Sequence, residues 1–208
     1  MEDVLEVYSR PYDASRPVLC FDEAGKQLVA HVSAPLPVIP GSPAREDYEY
    51  ERKGTANIFM TTEPLSGKRE VTVTDRRTNV DFAHEIRKIV DARPDAEKIV
   101  LVLDNLNTHS AGALYEAFPP EEARRIWERL EVHYTPKHAS WLNIAECELS
   151  ALARQCLDRR IADKETLSRE VKAWEQDRNE RVVKVDWQFT TADARVKLKR
   201  LYPVIQLR

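Results

Sequence analysis

The chain is short of the features that staple, anchor or export a small protein. Its 208 residues include three cysteines, Cys20, Cys147 and Cys156, an odd number with no CxxC spacing. That argues against a disulfide framework and places the chain in a reducing cytosol. No apolar stretch approaches the roughly 20 residues that cross a bilayer. Residues 1–8 are acidic and have neither the basic nor the apolar region of a signal peptide. There is no internal repeat, low-complexity tract or obvious linker. Positive charge is not in excess either: 32 Lys and Arg against 35 Asp and Glu leave a net charge of −3. A dedicated nucleic-acid binder usually has a basic balance. Any contact with DNA would therefore rest on local clusters, at Arg76-Arg77, at Arg154 with Arg159-Arg160, and at Arg195-Lys197-Lys199-Arg200. Each of these also reads as an ordinary solvated helix face.

What remains, 42% hydrophobic and 32% charged residues, describes one globular domain with enough chain for a real core. Residues 17–22 predict a first strand, 23–26 a tight turn, and 27–32 a returning strand. The four prolines of 34–43 predict a loop or arm. A third strand is expected over 48–61, bent or bulged at Gly54, with the β-branched run 70–73 beside it. From Thr78, apolar residues recur at helical spacing through Val90, with Pro94 beyond their end. Residues 98–103 are an apolar run without alternation, the pattern of a central strand covered on both faces. Short helices over 111–118 and 120–130, a strand at 132–134, a turn at 135–137 and closing helices over 143–158, 164–179 and 191–201 complete the order.

Three acids stand where such elements end or begin. Asp22 follows Val18-Leu19-Cys20-Phe21, Asp104 follows the central run, and Glu146 lies one turn inside a helix opening at Trp141-Leu142-Asn143. Carboxylates so placed suit a pair of hard divalent cations, which stabilise the attacking and leaving oxygens of a phosphoryl displacement. The same residues have plainer readings, since an aspartate after a strand often forms a turn or caps a helix. Glu23 competes with Asp22, and alternation along a strand lets only one of them face the site. Glu148 competes with Glu146, because the two flank the helix's apolar face on opposite sides.

The surrounding motifs carry a resemblance. VLCFDE (18–23), LVLDNLNTHS (101–110) and HYTPKHASWLNIAE (133–146) resemble the catalytic domain of bacterial insertion-sequence transposases of the mariner-like group, in the DDE superfamily. The likeness extends over nearly the whole chain, including DRRTNVDFAHEIR, LYEAFPP and FTTADARVKLKRLYP. It implies a ribonuclease-H-like α/β fold, with a mixed central sheet flanked by helices and with the first and central strands side by side. It implies that Asp22, Asp104 and Glu146 are the catalytic, metal-binding acids, selected over Glu23 and Glu148. Two Mg2+ or Mn2+ ions per active site are implied, with Asp22 bridging both and Asp104 and Glu146 holding one each. The activity implied is cleavage of transposon-end DNA and transfer of the 3′-hydroxyl into target DNA, in the bacterial cytoplasm at the nucleoid. The helix-turn-helix region usual in the family is absent, so residues 1–208 are expected to be one catalytic domain. It would act as a homodimer with DNA, with a helix-turn-helix partner possible on a separate chain.

Around the acids, Asn105, Asn107 and His109 are candidate DNA contacts on the loop after Asp104. Lys137 and His138 are candidates at the start of the later helix, where phosphate is favoured. Trp141 either stacks on a base or, the preferred reading, staples the helix start. The extra YEAFPPEEARR stretch reads as helical surface. Converging carboxylates should repel and raise at least one pKa. Glu23→Gln and Glu148→Gln are expected to keep most activity. The alternative function is an inactive remnant serving as a DNA- or protein-interaction module. A haloacid-dehalogenase-like phosphatase built on Asp22 is disfavoured, because its second aspartate would fall at Ala24.

Overall fold

The computed structural model describes residues 1–43, 45–137 and 139–202, so the candidate His138 lies outside the described residues. Helix α1 (Glu2–Tyr8) is followed by strands β1 (Val18–His31), β2 (Tyr50–Glu63) and β3 (Lys68–Thr74), then by α2 (Asn79–Asp91) and β4 (Ile99–Leu103). Helices α3 (Ala111–Ala117) and α4 (Pro120–Glu128), strand β5 (Leu130–Tyr134), and helices α5 (Ile144–Gln155), α6 (Lys164–Glu180) and α7 (Thr191–Lys197) complete the chain. The sheet order is β3-β2-β1-β4-β5. Pairing is antiparallel among β1, β2 and β3, and parallel for β1 with β4 and β4 with β5.

Alternation along the strands sorts the core into two layers. Leu19 and Phe21 of β1 and Ile99, Leu101 and Leu103 of β4 pack against α2, α3 and α4. Cys20 of β1 and Val100 and Val102 of β4 pack on the other face, against α1, α5, α6 and α7. Every residue of β4 is buried, which explains its unbroken apolar run. No helix among the described residues is long and apolar enough to cross a membrane.

Three expectations need correction. The hairpin at 23–26 does not form, because β1 runs straight through it, paired with β2 from Cys20 opposite Thr62 to His31 opposite Tyr50. Glu-Ala-Gly-Lys lacks the Asn-Gly or Asp-Gly pair that most favours a tight hairpin turn, and Lys26 is tied down by a 2.7 Å hydrogen bond from its Nζ to the Leu157 carbonyl. The irregularity lies in the partner strand. Gln27 faces Thr55 and Val29 faces Arg52, so Lys53 and Gly54 oppose Leu28 alone, a bulge in which Gly54 takes φ +102°. Second, residues 2–8 form α1, which the sequence reading left without structure. Val4, Leu5 and Val7 enter the core, and the Tyr8 hydroxyl donates to the Leu142 carbonyl at 2.7 Å. Third, the YEAFPPEEARR stretch is not merely surface, since Ala123 within it and Ile126 just beyond it are fully buried. The proline-rich arm does form no strand, only isolated bridges of Leu36 with Arg45 and Ile39 with Ser42.

A buried ion cluster fixes α5 to its neighbours. Arg69 of β3 is fully buried and grips Glu148 of α5 with two hydrogen bonds, Nε to Oε2 at 2.5 Å and Nη2 to Oε1 at 3.0 Å. Arg178 of α6 reaches the same Oε1 at 3.0 Å. Burial works against the Glu148 charge, but Arg69 and then Arg178 outweigh it and hold the carboxyl below its usual range. Removing one partner from such a cluster leaves an uncompensated charge in the interior. Glu148→Gln is therefore expected to lose about 3 kcal/mol of stability in urea unfolding. A loss under about 1 kcal/mol, the ceiling for an exposed pair, would mean that charge does not hold this clamp.

Candidate active site

The parallel register of β1 and β4 decides which acids meet. Val18, Leu19 and Cys20 face Val100, Leu101 and Val102. Asp22 and Asp104 each lie two residues further along their strands, so they arrive at the same sheet edge. Asp22 is largely buried, and burial first, with the charges of Asp104 and Glu23 adding to it, pushes its carboxyl up to about 7. Its Oδ1 accepts the Glu23 backbone N–H at 2.8 Å, which works in the opposite direction. The raised pKa expected from repulsion is present, but desolvation is its leading cause.

Asp104, just past β4, is held differently. Its Oδ1 accepts the Leu106 N–H at 3.1 Å and lies 2.6 Å from His109 Nδ1. The other ring nitrogen, Nε2, lies 3.0 Å from Glu23 Oε2. Burial alone would lower the His109 pKa, but the bonds to Asp104 and then Glu23 raise it to about 9. Carboxylates against both ring nitrogens favour the charged imidazolium: Nε2 hydrogen-bonds Glu23, while Nδ1 meets Asp104 as a close ion pair without hydrogen-bond alignment. Burial likewise opposes the Asp104 charge, and the His109 contact holds that carboxyl below its ordinary 3.8. This corrects one expectation: His109 is 2% exposed, so it is an internal ion-pair partner and not an exposed DNA contact. The Glu23 side chain turns to the opposite face from Asp22 and meets His109, whose other ring nitrogen lies against Asp104.

Glu146 sits in the first turn of α5 and is exposed. The helix start is pinned to β1 by Asn143, whose Oδ1 caps Ala145 N–H at 3.1 Å. Its Nδ2 donates to the Phe21 carbonyl at 2.8 Å and lies 3.4 Å from Asp22 Oδ2. Asn143 was missed as a site residue, although an Asn before an apolar helical run is an N-cap signal. Among the described residues, no three His, Cys, Asp or Glu side chains converge closely enough to hold an ion. The structure thus brings Asp22 and Asp104 together and leaves the Glu146 carboxylate apart from them, one helical turn from the cap that touches Asp22. The two aspartates suit a hard cation: both are oxygen donors, and Asp22 is desolvated without a Lys or Arg partner among the described ion pairs.

The remaining candidates rim the site. Asn105 and Asn107 are exposed, and Asn105 Nδ2 donates to the Thr135 carbonyl at 2.8 Å. Lys137 is exposed. Trp141, 41% exposed, packs edge-on against Phe189 at 5.7 Å. The preferred staple position before the cap is taken by the fully buried Leu142. Most basic clusters are already engaged: Arg159 with Glu170, Arg195 with Glu2, Lys197 with Asp193, and Arg160 with the carbonyls of Asp47 and Glu49. Arg77, 3.9 Å from Glu23, stands closest to the acids.

Comparison with known proteins fits this geometry. The family model described as DDE superfamily endonuclease matches residues 17–168. The chain belongs to that family. No match was found among curated proteins. Among solved structures, the Mos1 mariner paired-end complex with Mn is similar at 17% identity and a TM-score of 0.57, covering 88% of this chain and 55% of that one. The Mos1 strand transfer complex is similar at 14% identity and a TM-score of 0.57, covering 87% and 55%. The isolated catalytic domain of Mos1 mariner transposase gives 13% identity and a TM-score of 0.51, covering 88% and 87%. The chain therefore spans about half the length of the Mos1 chains in the complexes. The DDE endonuclease has here the mixed five-stranded, helix-flanked fold of the ribonuclease-H-like transposase catalytic domain.

The two shifted groups make stability depend on pH in one direction. Asp22 has a folded value near 7 against an ordinary 3.8, so the folded state keeps a proton that the unfolded chain has lost, and stability falls as pH rises between them. His109, raised from 6.5 to about 9, contributes stability that is full below 6.5 and lost as pH rises through 9. Metal-free protein should melt progressively lower from pH 5 to pH 9. Asp22→Asn should flatten the acid half of that slope and raise stability at pH 8 by on the order of 2 kcal/mol. A wild-type melting temperature that does not change between pH 5 and 9 would contradict both assignments.

Proposed function

We propose that this DDE endonuclease domain is the catalytic part of a bacterial DNA transposase, cleaving transposon-end DNA and joining its 3′-hydroxyl to target DNA. The observation that carries the reading is the in-register arrival of Asp22 and Asp104 at one edge of the sheet, with Asp22 desolvated and lacking a Lys or Arg partner among the described ion pairs. Asp22, Asp104 and Glu146 are the residues that would hold two Mg2+ or Mn2+ ions. These would supply positive charge at the attacking and leaving oxygens of the displacement. The chain itself contributes position and charge, with no covalent step. Asp22 is fixed by the Glu23 N–H and Asn143, and Asp104 by His109 and Leu106. Glu146, on the exposed first turn of α5, would have to turn toward them to complete the set.

The partner is DNA, engaged mostly through phosphate contacts from Arg76, Arg77, Lys137 and the polar loop at Asn105 and Asn107. The active complex would contain two copies of the chain, and the arm, with Leu36, Val38 and Ile39 exposed, is a candidate for the contact between them. End recognition would fall to a helix-turn-helix region, in the same protein or on a separate chain, and the site of action would be the bacterial nucleoid.

Two experiments test this. Asp22→Asn, Asp104→Asn and Glu146→Gln should each abolish manganese-dependent nicking of supercoiled DNA while leaving the circular dichroism spectrum unchanged. Full activity in Glu146→Gln would remove it from the site, and inert wild-type protein would favour the remnant that only binds DNA or protein. Binding by this chain alone should be weak, equal for transposon-end and random duplexes, and lost by physiological salt, because few cations are free to displace counterions. Fluorescence titrations at two salt concentrations read this directly, and tight end-specific binding at physiological salt would place recognition inside this domain.

A further inference from the structure

Asp22 and Glu23 are neighbours on β1, yet between them they touch both aspartates of the site. The Glu23 backbone N–H holds Asp22 Oδ1 at 2.8 Å. The Glu23 side chain, 4% exposed, turns to the opposite face and meets His109 Nε2 at 3.0 Å. The far side of the same ring puts Nδ1 2.6 Å from Asp104 Oδ1. The ring is 1% exposed and packs at 4.7 Å from the Phe82 ring and 5.8 Å from that of Phe21, centroid to centroid. Phe82 and Phe21 belong to the core layer formed with α2. Leu106 N–H meets the same Asp104 oxygen from the loop side. Oδ1 is thus held from two directions, whereas Oδ2 takes no hydrogen bond among the described residues.

We propose that Glu23 and His109 are positioning residues for Asp104: the pair fixes Oδ1 and leaves Oδ2 as the single oxygen offered to a cation. The inference rests on the reading of Asp104 as a metal ligand. An aspartate just past a strand end has a broad, roughly two-fold χ2. Unrestrained, it could exchange its oxygens or present both to one ion. A ring paired with Asp104 alone could still rotate about its own bond. Glu23 on the second nitrogen stops that rotation, and the two phenylalanine rings hold the imidazole plane. Partners that orient a ligand in this way commonly change metal affinity by about 10- to 100-fold when removed.

Two isosteres of histidine separate positioning from mere packing. The amide nitrogen of asparagine falls near the place of Nδ1, and that of glutamine near the place of Nε2. His109→Asn can therefore still donate to Asp104 while losing Glu23, and His109→Gln can still meet Glu23 while losing Asp104. Both lose the aromatic ring, so a purely structural role would move both alike, with similar falls in melting temperature. Manganese binding to the whole chain, followed by loss of the free Mn2+ signal in electron paramagnetic resonance, should be weakened about tenfold or more in His109→Gln. In His109→Asn the loss should be only a few-fold, and Glu23→Ala should fall between the two. Equal affinity in the asparagine and glutamine variants, at equal melting temperature, would overturn the positioning role. Asp104→Asn is the control for the underlying reading. If it binds manganese as wild type does, Asp104 is not a ligand and both inferences fall. If it loses binding while His109→Gln keeps it, only the positioning role falls.

Discussion

Three backbone pairs between β1 and β4, ending at Cys20 opposite Val102, determine where negative charge collects in this protein. Parallel strands in register carry equivalent residues to the same edge at the same height, so the aspartates two positions on from that last pair have no choice but to meet. The sheet can hold them there only because other groups answer their charge. Burial leaves Asp22 near the boundary between its neutral and ionised forms, while Asp104 is kept ionised by an imidazolium locked in the opposite layer. The two acids therefore differ in character despite their symmetric placement, as environments commonly make paired carboxylates differ.

The second determinant is the setting of α5. Its start is tied to β1 by Asn143 and to α1 by Tyr8, and its second turn is gripped by Arg69 from β3 and Arg178 from α6. Glu148 is thereby committed to the interior, and Glu146, two residues earlier, is left on the exposed side. Glu148 is turned inward by an arginine nearly eighty residues away in sequence, a contact that helical periodicity does not carry. Burial of the whole cluster is tolerable because every charge has a partner of opposite sign within hydrogen-bond reach.

The strands β2 to β5, the helices α2 to α7 and the interior place of β4 were legible in the sequence, because each carries a strong local period or an end signal such as the Thr78 capping box. The failures share one cause. The straight run of β1 through residues 23–26 is imposed by the partner strand β2, and α1 is short and stabilised by burial of Val4, Leu5 and Val7. Neither is written locally. At the site, the meeting of Asp22 and Asp104 followed from the apolar runs that precede them, although Asp22 lies inside β1 and not at its end. The roles of Glu23, His109 and Asn143 did not, since each depends on a contact between distant segments. Alternation puts Glu23 on the opposite face from Asp22, and there its carboxylate meets His109, which in turn lies against Asp104.

The alternation of Asp22 and Glu23 also bears on which length changes the chain can absorb. Losing or gaining one residue between Val18 and Asp22 would exchange the faces of everything that follows up to the next irregularity. Glu23 would then turn toward α5, Phe21 or its neighbour would leave its aromatic layer, and both aspartates would lose their supports at once. The arm after β1 obeys no such rule, since its residues are mostly exposed and make only isolated bridges. Among relatives of this chain, variation in length should therefore be concentrated between β1 and β2. The few residues leading into the acidic pair should keep a fixed count even where their identities drift.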